Sequence, residues 1–162
     1  MTPAAREGRH PPRYLDVADR IWPALRRAAG VHTFLYRHSG GRLGHDVPGL
    51  RGKMLLLEHV GAKSGTKRTA PLLYVVDGED VVLVASKGGY PKNPAWYYNL
   101  IANPDTEVQI GRERRRVHAR VATPEERERL WPEAVRMYGG YRDYAARSKG
   151  REIPLVILEP RA

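Results

Sequence analysis

Two glycine-rich segments place cations beside small residues. The first covers residues 61–69 and reads GAKSGTKRT, and the second covers residues 85–89 and reads ASKGG. Glycine admits backbone conformations that other residues avoid, and consecutive free N–H groups form a concave site for anion oxygens. The cations of the two segments are Lys63, Lys67, Arg68 and Lys87. This pattern indicates an anion site, although most turns of this kind are solvated hairpin ends with exposed lysines.

Few other chemistries are open to the sequence. It has no cysteine, and it lacks the HExxH, GxSxG, Walker and post-strand GxGxxG patterns. Its six histidines have no metal-ligand spacing, so we expect no metal; His59 stands out because it ends a strand near the first segment. The remaining polar groups are Ser86 and the tyrosines Tyr138, Tyr141 and Tyr144. These residues predict a site for a large charged cofactor that itself carries the reaction.

Length and charge set the class of protein. The 162 residues suit one domain, and the net charge of +10 predicts attraction to polyanions. Nucleic acid, an anionic membrane face and a ligand with several phosphates or carboxylates all fit this charge. No apolar run approaches the roughly 20 residues that span a bilayer, and the start of the chain lacks a signal-peptide pattern. We therefore expect a cytoplasmic protein.

The first forty residues predict a tail and a helical segment. Residues 1–12 have no periodicity and predict a flexible tail. Residues 13–40 predict an amphipathic helical segment that is kinked or divided at Pro23, with one or two further helical turns at residues 31–37. Its arginine-bearing side would suit a membrane surface, but a helix docked on the domain is the simpler interpretation. Peripheral membrane contact stays open.

Strand patterns begin at residue 53 and position both cationic segments. We expect strands at residues 54–60, 70–76 and 80–86, the last two forming a hairpin about Asp77-Gly78. This hairpin would bring Arg68 and Lys87 to one edge of the sheet. Asn93 and Pro94 predict the N-cap and first residue of a short helix that ends at Asn103.

The last third of the chain adds a basic stripe. A hairpin about Gly111 would join strands at residues 107–110 and 114–122, with cationic side chains on one face of the second strand. A nucleic-acid groove could use this stripe, but a solvated face is commoner and aromatic residues are not interleaved along it. Thr123 to Glu126 is a capping-box pattern for a helix, and residues 153–158 predict the last strand.

Three segments of the sequence resemble one known family. Residues 55–110, which read LLLEHVGAKSGTKRTAPLLYVVDGEDVVLVASKGGYPKNPAWYYNLIANPDTEVQI, resemble the deazaflavin-dependent nitroreductase family, as do MYGGYRDY at 137–144 and REIPLVILEP at 151–160. The likeness covers about residues 41–160. It implies an α+β fold, a mainly antiparallel, FMN-binding-like split β-barrel with flanking helices, over residues 41–162. It also implies coenzyme F-420, an 8-hydroxy-5-deazaflavin with a phosphodiester and an oligoglutamate tail.

The resemblance assigns roles to individual residues. It places the phosphate and tail contacts at Lys63, Ser64, Gly65, Arg68 and Lys87, to which Thr69 and Gly88 of the same segments are added. It places the deazaflavin ring against Pro71, Val84, Ser86, Ala95 and Trp96. The substrate side, with the candidate catalytic groups, falls to Tyr138, Tyr141, Tyr144 and Ser86. Each tyrosine could equally be a core aromatic residue with a satisfied hydroxyl.

The implied activity is hydride transfer from reduced coenzyme F-420 to an electron-poor acceptor such as a quinone, an enone or a nitroaromatic. The alternatives are a basic nucleic-acid-binding barrel, a non-catalytic deazaflavin carrier and a relative that uses FMN. Glu58 and His59 stand where threonines are common in the family, which bears on substrate preference. We expect a monomer or weak dimer that binds the cofactor and a small acceptor, and no nucleic acid.

Overall fold

A six-stranded antiparallel barrel organises the chain. The computed structural model describes residues 14–49 and 51–162, so the predicted tail at residues 1–12 lies outside the described residues. The strands are β1 (Lys53–Val60), β2 (Lys67–Asp77), β3 (Asp80–Val84), β4 (Asp105–Ile110), β5 (Glu113–Val121) and β6 (Leu155–Pro160). The barrel closes in the order β1-β2-β3-β6-β5-β4, and all neighbouring strands are antiparallel.

Helices flank this barrel before the first strand and between later strands. They are α1 (Tyr14–Arg20), α2 (Trp22–Ser39), α3 (Ala95–Ala102), α4 (Pro124–Met137) and α5 (Gly140–Arg147), with a 3-10 turn at Lys87–Gly89. The α+β split-barrel prediction is therefore confirmed. None of the helices in the described ranges is long and apolar enough to cross a bilayer.

Strands β3 and β6 bury both of their faces. Leu83 and Leu158 belong to the barrel interior, while Val82 and Ile157 pack with Leu130 in a second cluster under α4 and α5. Because successive strand residues point to opposite faces, β3 and β6 are apolar without alternation. This layering holds α4 and α5 against the barrel and so fixes the tyrosines of the 138–144 segment.

The predicted hairpins and the capping box are confirmed. Asp77 pairs with Asp80 around the Gly78 turn, and Ile110 pairs with Glu113 around Gly111. Thr123 and Glu126 cap α4 reciprocally.

Several predicted boundaries differ from the structure. The helical segment breaks at Ile21, and α2 then runs unbroken through Pro23 to Ser39. Pro23 lies in the first turn of α2, where its missing N–H is not needed, so it starts a helix instead of kinking one. The turns expected at residues 31–37 belong to this same helix. At α3 the N-cap is Pro94 and not Asn93, because the Asn93 side chain accepts a hydrogen bond from Arg151.

The strand ends also shift. β2 begins at Lys67 because residues 67–69 pair with the end of β1. β3 ends at Val84, since Ala85 donates its N–H to the Pro154 carbonyl and the chain then turns away. β6 covers residues 155–160 in register with β3, from Leu155 opposite Val84 to Leu158 opposite Val81.

Candidate functional site

A first cleft lies between the β1–β2 turn and α3, and we name it the cation cleft. Its volume is about 610 Å³. It is lined by Gly61, Ala62, Lys63, Ser64, Arg68, Ala95, Tyr98 and Asn99. Three of the cofactor-binding predictions, Lys63, Ser64 and Arg68, are therefore brought together beside Ala95.

The turn at residues 61–66 is closed by its own backbone. The Gly61 N–H donates to the Thr66 carbonyl over 2.9 Å, and the Gly65 N–H donates to the Gly61 carbonyl over 2.8 Å. Gly65 has φ +65°, which favours glycine. A Cβ on Gly61 would lie 2.3 Å from Ser64 Oγ. Glycine at both positions thus allows a tight loop that presents Lys63 and Ser64.

Asn99 ties this turn to α3. Its side chain is buried, and Asn99 Oδ1 accepts the Ala62 N–H over 2.9 Å. The Asn99 amide nitrogen lies 2.9 Å from His59 Nδ1. The loop that carries the cations is therefore fixed by a side chain from another element.

The predicted anion-binding cations are free of carboxylates. Within the described ranges, no carboxylate lies within ion-pair distance of any of them. All four, Lys63, Lys67, Arg68 and Lys87, are exposed. Lys87 Nζ lies 5.9 Å from the centre of the Tyr90 ring. Their charge is thus available to an anionic ligand.

A second, larger cleft adjoins the start of α3, and we name it the aromatic cleft. Its volume is about 750 Å³. Its lining includes most of the residues predicted to contact the ring and the substrate: Pro71, Val84, Ser86, Trp96, Tyr138, Tyr141 and Tyr144. Lys87 and Gly88, predicted for the phosphate and tail, line it as well. Pro94 and Trp96 line this cleft, while Ala95 between them lines the cation cleft. One short stretch of chain therefore borders both.

The three tyrosines form a ring cluster. The ring centres of Tyr138 and Tyr141 lie 5.0 Å apart in an edge-to-face arrangement. The hydroxyl oxygens of Tyr138 and Tyr144 lie 3.0 Å apart, within hydrogen-bond distance. Tyr141 is only 5% exposed, and burial raises the pKa of its hydroxyl. Two of the hydroxyls are thus coupled to each other, and the third belongs to a largely buried ring.

Arg151 holds the loop that carries Ser86 and Lys87. Its guanidinium donates to the Ser86 carbonyl over 3.0 Å and to the Tyr90 carbonyl over 2.8 and 3.0 Å. It also bonds the Ala85 carbonyl and the Asn93 side chain. Burial lowers the pKa of Arg151, but a guanidinium stays charged. The Arg151 side chain alone therefore donates hydrogen bonds to several carbonyls of the loop.

The same loop meets α1 and α5. Arg147 donates to the Gly88 carbonyl over 3.3 Å and pairs with Asp19 of α1. Tyr90 donates its hydroxyl to Asp19 over 2.5 Å. Hydrogen bonds from Arg147 and then Tyr90 lower the pKa of the Asp19 carboxyl. The N-terminal helix is thus joined to the rim of the aromatic cleft.

Not every predicted residue lies where expected. Arg68 and Lys87 line different clefts, the cation cleft and the aromatic cleft. Gly65 shapes the turn without lining the cation cleft. The Thr69 hydroxyl donates to Glu58 over 2.8 Å and accepts from Arg37, which gives Thr69 a structural contact outside both clefts.

The basic stripe consists of Arg112, Arg114, Arg116, His118 and Arg120, and three of these five lie beside carboxylates. Arg120 is held between Glu126 and Glu159. His118 contacts Asp105 over 2.6 Å, and Arg114 lies 4.0 Å from Glu107. The stripe therefore lacks the row of free cations that grips a phosphate backbone.

Sequence reasoning missed Asn99 and Arg151. Asn99 meets residues 37 and 40 positions away, and Arg151 meets residues 58 to 66 positions away. Neither residue belongs to a local motif, so no pattern in the sequence signals them. Among the described residues, no group of three or more histidine or acidic side chains could hold a metal ion.

Comparisons with known proteins identify the family. The family model described as "F420H(2)-dependent quinone reductase" matches residues 28–160. An F420H(2)-dependent quinone reductase of Mycobacterium tuberculosis is 41% identical over 145 residues, which are 85% of this chain and 96% of the relative. The match therefore spans nearly the whole relative.

Solved structures agree with that assignment. The structure of an F420-H2 dependent reductase has a TM-score of 0.60 and 43% identity, and the match covers 65% of this chain and 93% of that one. A structure described as a domain-swapped dimer has a TM-score of 0.64 and 37% identity, with 85% and 99% covered. The resemblance to deazaflavin-dependent enzymes is confirmed, with quinone reduction as the named activity. This chain belongs to the F420H(2)-dependent quinone reductase family.

Proposed function

We propose that this protein transfers a hydride from reduced coenzyme F-420 to a quinone. One observation carries the proposal: a cleft with unpaired cations and an apolar aromatic cleft meet at the start of α3. A ligand that combines a planar ring with an acidic tail needs both environments. Family membership identifies the ligand as a deazaflavin.

The residues present fit coenzyme F-420. The tight turn at residues 61–66 leaves space around Gly65, where an added Cβ would meet no atom within 4 Å. Lys63 and Arg68 stand free of carboxylates beside this turn and would hold phosphate and glutamate oxygens. Lys87 lies on the rim of the aromatic cleft and would hold an anionic group nearer the ring. FMN lacks the acidic tail that the cation cleft would meet.

The aromatic cleft would hold the ring system. Pro71, Val84 and Trp96 offer apolar surface for a flat heterocycle, and Ser86 offers a hydroxyl. When bound, reduced coenzyme F-420 supplies a hydride from C5 of its ring. Because the hydride comes from the cofactor, the protein needs to bind, orient and exclude water, and it requires no catalytic triad.

Tyr138 and Tyr144 are the groups we assign to the acceptor. Their hydroxyls share a hydrogen bond at the cleft, so one can donate outward while the other supports it. A quinone oxygen that gains electrons becomes more basic, and a hydroxyl donor stabilises it or supplies a proton. Enones and nitroaromatics share this electron-poor, oxygen-bearing character and are proposed as further acceptors.

The location, oligomeric state and membrane contact of the protein stay predictions. The outer side of α2 exposes Val31 and Phe34 together with Arg26 and Arg27, a combination that would suit contact with an anionic membrane face. We expect a cytoplasmic monomer or weak dimer that binds no nucleic acid. Sedimentation with vesicles that contain anionic lipid tests the membrane contact.

A fluorescence titration with coenzyme F-420 and with FMN tests the cofactor assignment. We expect tighter binding of coenzyme F-420, and weaker binding at high salt because exposed charges are screened over roughly 8 Å at physiological ionic strength. Equal or tighter binding of FMN would overturn the assignment in favour of an FMN-using relative. Binding without quinone turnover would indicate a deazaflavin carrier.

A further inference from the structure

A buried histidine lies behind the cation cleft and takes no part in the chemistry described above. His59 is 7% exposed and occupies the next-to-last position of β1. Its Nδ1 lies 2.9 Å from the Asn99 amide nitrogen. Residues near the end of β1 lead directly into the turn that carries Lys63 and Ser64, so His59 is placed to influence that turn.

The hydrogen-bond pattern fixes the state of both side chains. Asn99 Oδ1 accepts the Ala62 N–H, so the amide –NH₂ group must point at His59. An –NH₂ group only donates, and therefore His59 Nδ1 must accept. The ring is neutral and carries its proton on Nε2. A flipped Asn99 would turn its –NH₂ group toward the Ala62 N–H and lose the bond to the turn.

The charges around His59 oppose a second proton. Arg68 lies directly opposite His59 in the β1–β2 register, where like charges destabilise a strand pair. Burial and then Arg68 lower the pKa of His59, and the adjacent Glu58 acts in the other direction. His59 also lines a separate cavity of about 380 Å³. The other charged groups of that cavity, besides Glu58, come from α2, β2, β4 and β5 and are Arg37, Lys67, Glu107 and Arg114.

We propose that neutral His59 is a positioning residue, which holds the Asn99 amide in the one orientation that pins the 61–66 turn for anion binding. A protonated imidazole donates from both nitrogens, so Nδ1 would face the Asn99 –NH₂ group donor to donor. Acidification then releases the Ala62 bond and loosens the turn. The consequence for coenzyme F-420 rests on the proposed function, whereas the effect on the turn does not.

The proton linkage has a defined sign. Since the pKa of His59 in the folded chain lies below the ordinary value of about 6.5, the unfolded chain binds the proton first as the pH falls. The stability due to neutral His59 is fully present above about pH 6.5, and it is lost as the pH falls toward the folded pKa. Anion binding at the turn depends on the folded chain alone, so it should weaken only as the pH approaches and passes the lowered pKa of folded His59.

Two variants separate hydrogen bonding from titration. His59→Leu removes the acceptor, while His59→Gln keeps an acceptor oxygen and cannot titrate. We expect His59→Leu to bind coenzyme F-420 about threefold to tenfold more weakly at pH 7.5. His59→Gln should retain most of the affinity and lose the weakening between pH 7.5 and 5.5. Ionisation of the ligand itself is common to all variants and cancels in the ratios.

His118→Gln is the matched control. His118 is an exposed histidine on β5 that contacts Asp105 and lines neither cleft, so its replacement should leave the affinity and its pH profile unchanged. An affinity of the parent protein that rises on acidification would overturn the proposal, because His59 would then act only as an added positive charge. A pH profile unchanged in His59→Gln would also overturn it.

NMR of the ligand-free chain tests the positioning without the cofactor. We expect the Nε2–H tautomer of His59, and faster hydrogen exchange of the Ala62 amide in His59→Leu than in the parent or in His59→Gln. An Nδ1–H tautomer, or Ala62 exchange that is the same in all three proteins, would overturn the proposal. If these signals behave as expected but no variant binds coenzyme F-420, the positioning stands and the proposed function fails.

Discussion

At the residue scale, the three tyrosines of the 138–144 segment are not equivalent. The Tyr138 and Tyr144 hydroxyls share a hydrogen bond, while Tyr141 is largely buried and its pKa is raised by burial. A higher pKa makes a hydroxyl a weaker acid. The sequence predicted all three as catalytic candidates, and the geometry favours Tyr138 and Tyr144 for contact with the acceptor.

We therefore expect Tyr138→Phe to lower kcat/KM for quinones by about 10²-fold if its hydroxyl donates the proton. Affinity for coenzyme F-420 and the unfolding midpoint should change little, because only one oxygen is removed. Tyr141→Phe is the matched control and should keep kcat/KM within about threefold. Steady-state kinetics at saturating cofactor measure kcat/KM for each variant. Parental turnover in both Tyr138→Phe and Tyr144→Phe would contradict the assignment of these hydroxyls to the acceptor.

Lys87 belongs to the cofactor side of the site. It lies on the rim of the aromatic cleft, and its own backbone has φ +45°. No carboxylate of the described residues pairs with its ammonium group. Lys87→Ala should weaken the binding of coenzyme F-420 about tenfold, which is the effect of losing one charge-assisted hydrogen bond. The loss should be the same whichever acceptor is used.

Lys92→Ala serves as the control for Lys87, because Lys92 is an exposed lysine close in sequence that lines neither cleft. Fluorescence titration of both variants against the parent measures the difference. Equal affinities for the two variants would show that Lys87 is a solvated surface lysine.

Sequence reasoning located most site residues because they sit in short motifs. Glycine-rich turns with cations placed Lys63 and Arg68 in one cleft, and the resemblance placed Pro71, Val84 and Trp96 in the other. Thr69 lines neither cleft, and its hydroxyl bonds Glu58 and Arg37; the Arg37 contact spans 32 positions of the chain. Long-range side-chain bonds leave no periodic signal.

At the scale of elements, the loop at residues 85–90 depends on the chain after α5. Arg151 precedes β6 and bonds three carbonyls of this loop together with the Asn93 side chain. Gly89 packs so closely on α5 that an added Cβ would lie 2.6 Å from the Tyr144 carbonyl oxygen. The tyrosine segment at residues 138–144 and the loop at residues 85–90 are thus packed together.

Arg151→Met should therefore loosen the loop and destabilise the fold together. Leaving several part-buried carbonyls without a donor should lower the free energy of unfolding by roughly 2 kcal/mol. Affinity for coenzyme F-420 should fall as well, because Ser86 and Lys87 lose their support. Urea denaturation and titration measure the two effects.

Arg142→Met provides the comparison, since Arg142 is exposed on α5 and, among the described residues, its side chain is not one of those that hydrogen-bond the loop. It should match the parent in both measurements. If Arg151→Met were as stable as Arg142→Met, the hydrogen bonds of Arg151 would contribute nothing measurable.

The elements were largely predictable, but their ends were not. Apolar runs, the Asp77-Gly78 turn and the Thr123 cap predicted strands, a hairpin and a helix that the structure contains. The single helix α2 was predicted as separate pieces because Pro23 was taken as a breaker. A proline in the first turn of a helix can start it, whereas a proline further along breaks it. Tertiary contacts set where the helix begins and so decide between the two.

At the scale of the whole molecule, the cationic side chains differ in whether a carboxylate lies beside them. Among the described residues, no carboxylate pairs with Lys63, Lys67, Arg68 or Lys87, whereas Arg114 and Arg120 of β5 lie beside carboxylates. The positive charge thus serves a small anionic ligand better than a nucleic acid. The closed barrel order itself was not predictable from local pattern, because β3–β6 and β5–β6 join distant segments.

Replacing Arg114 and Arg116 together by Ser tests this division. Both residues are exposed on β5 and lie outside the two clefts, so cofactor affinity and turnover should stay within about twofold of the parent. Titrations with duplex DNA and with RNA accompany the assay. Tight, salt-sensitive binding that disappears in the double variant would instead support the nucleic-acid-binding alternative.

The central claim is hydride transfer from reduced coenzyme F-420 to a quinone, and an anaerobic turnover assay tests it most directly. Reduced coenzyme F-420 and the protein are mixed with a soluble quinone, and the absorbance of the oxidised cofactor is followed. We predict protein-dependent reoxidation that saturates with quinone, with no comparable turnover when reduced FMN replaces the deazaflavin. Reoxidation no faster than in protein-free controls, or equal turnover with reduced FMN, would contradict the account.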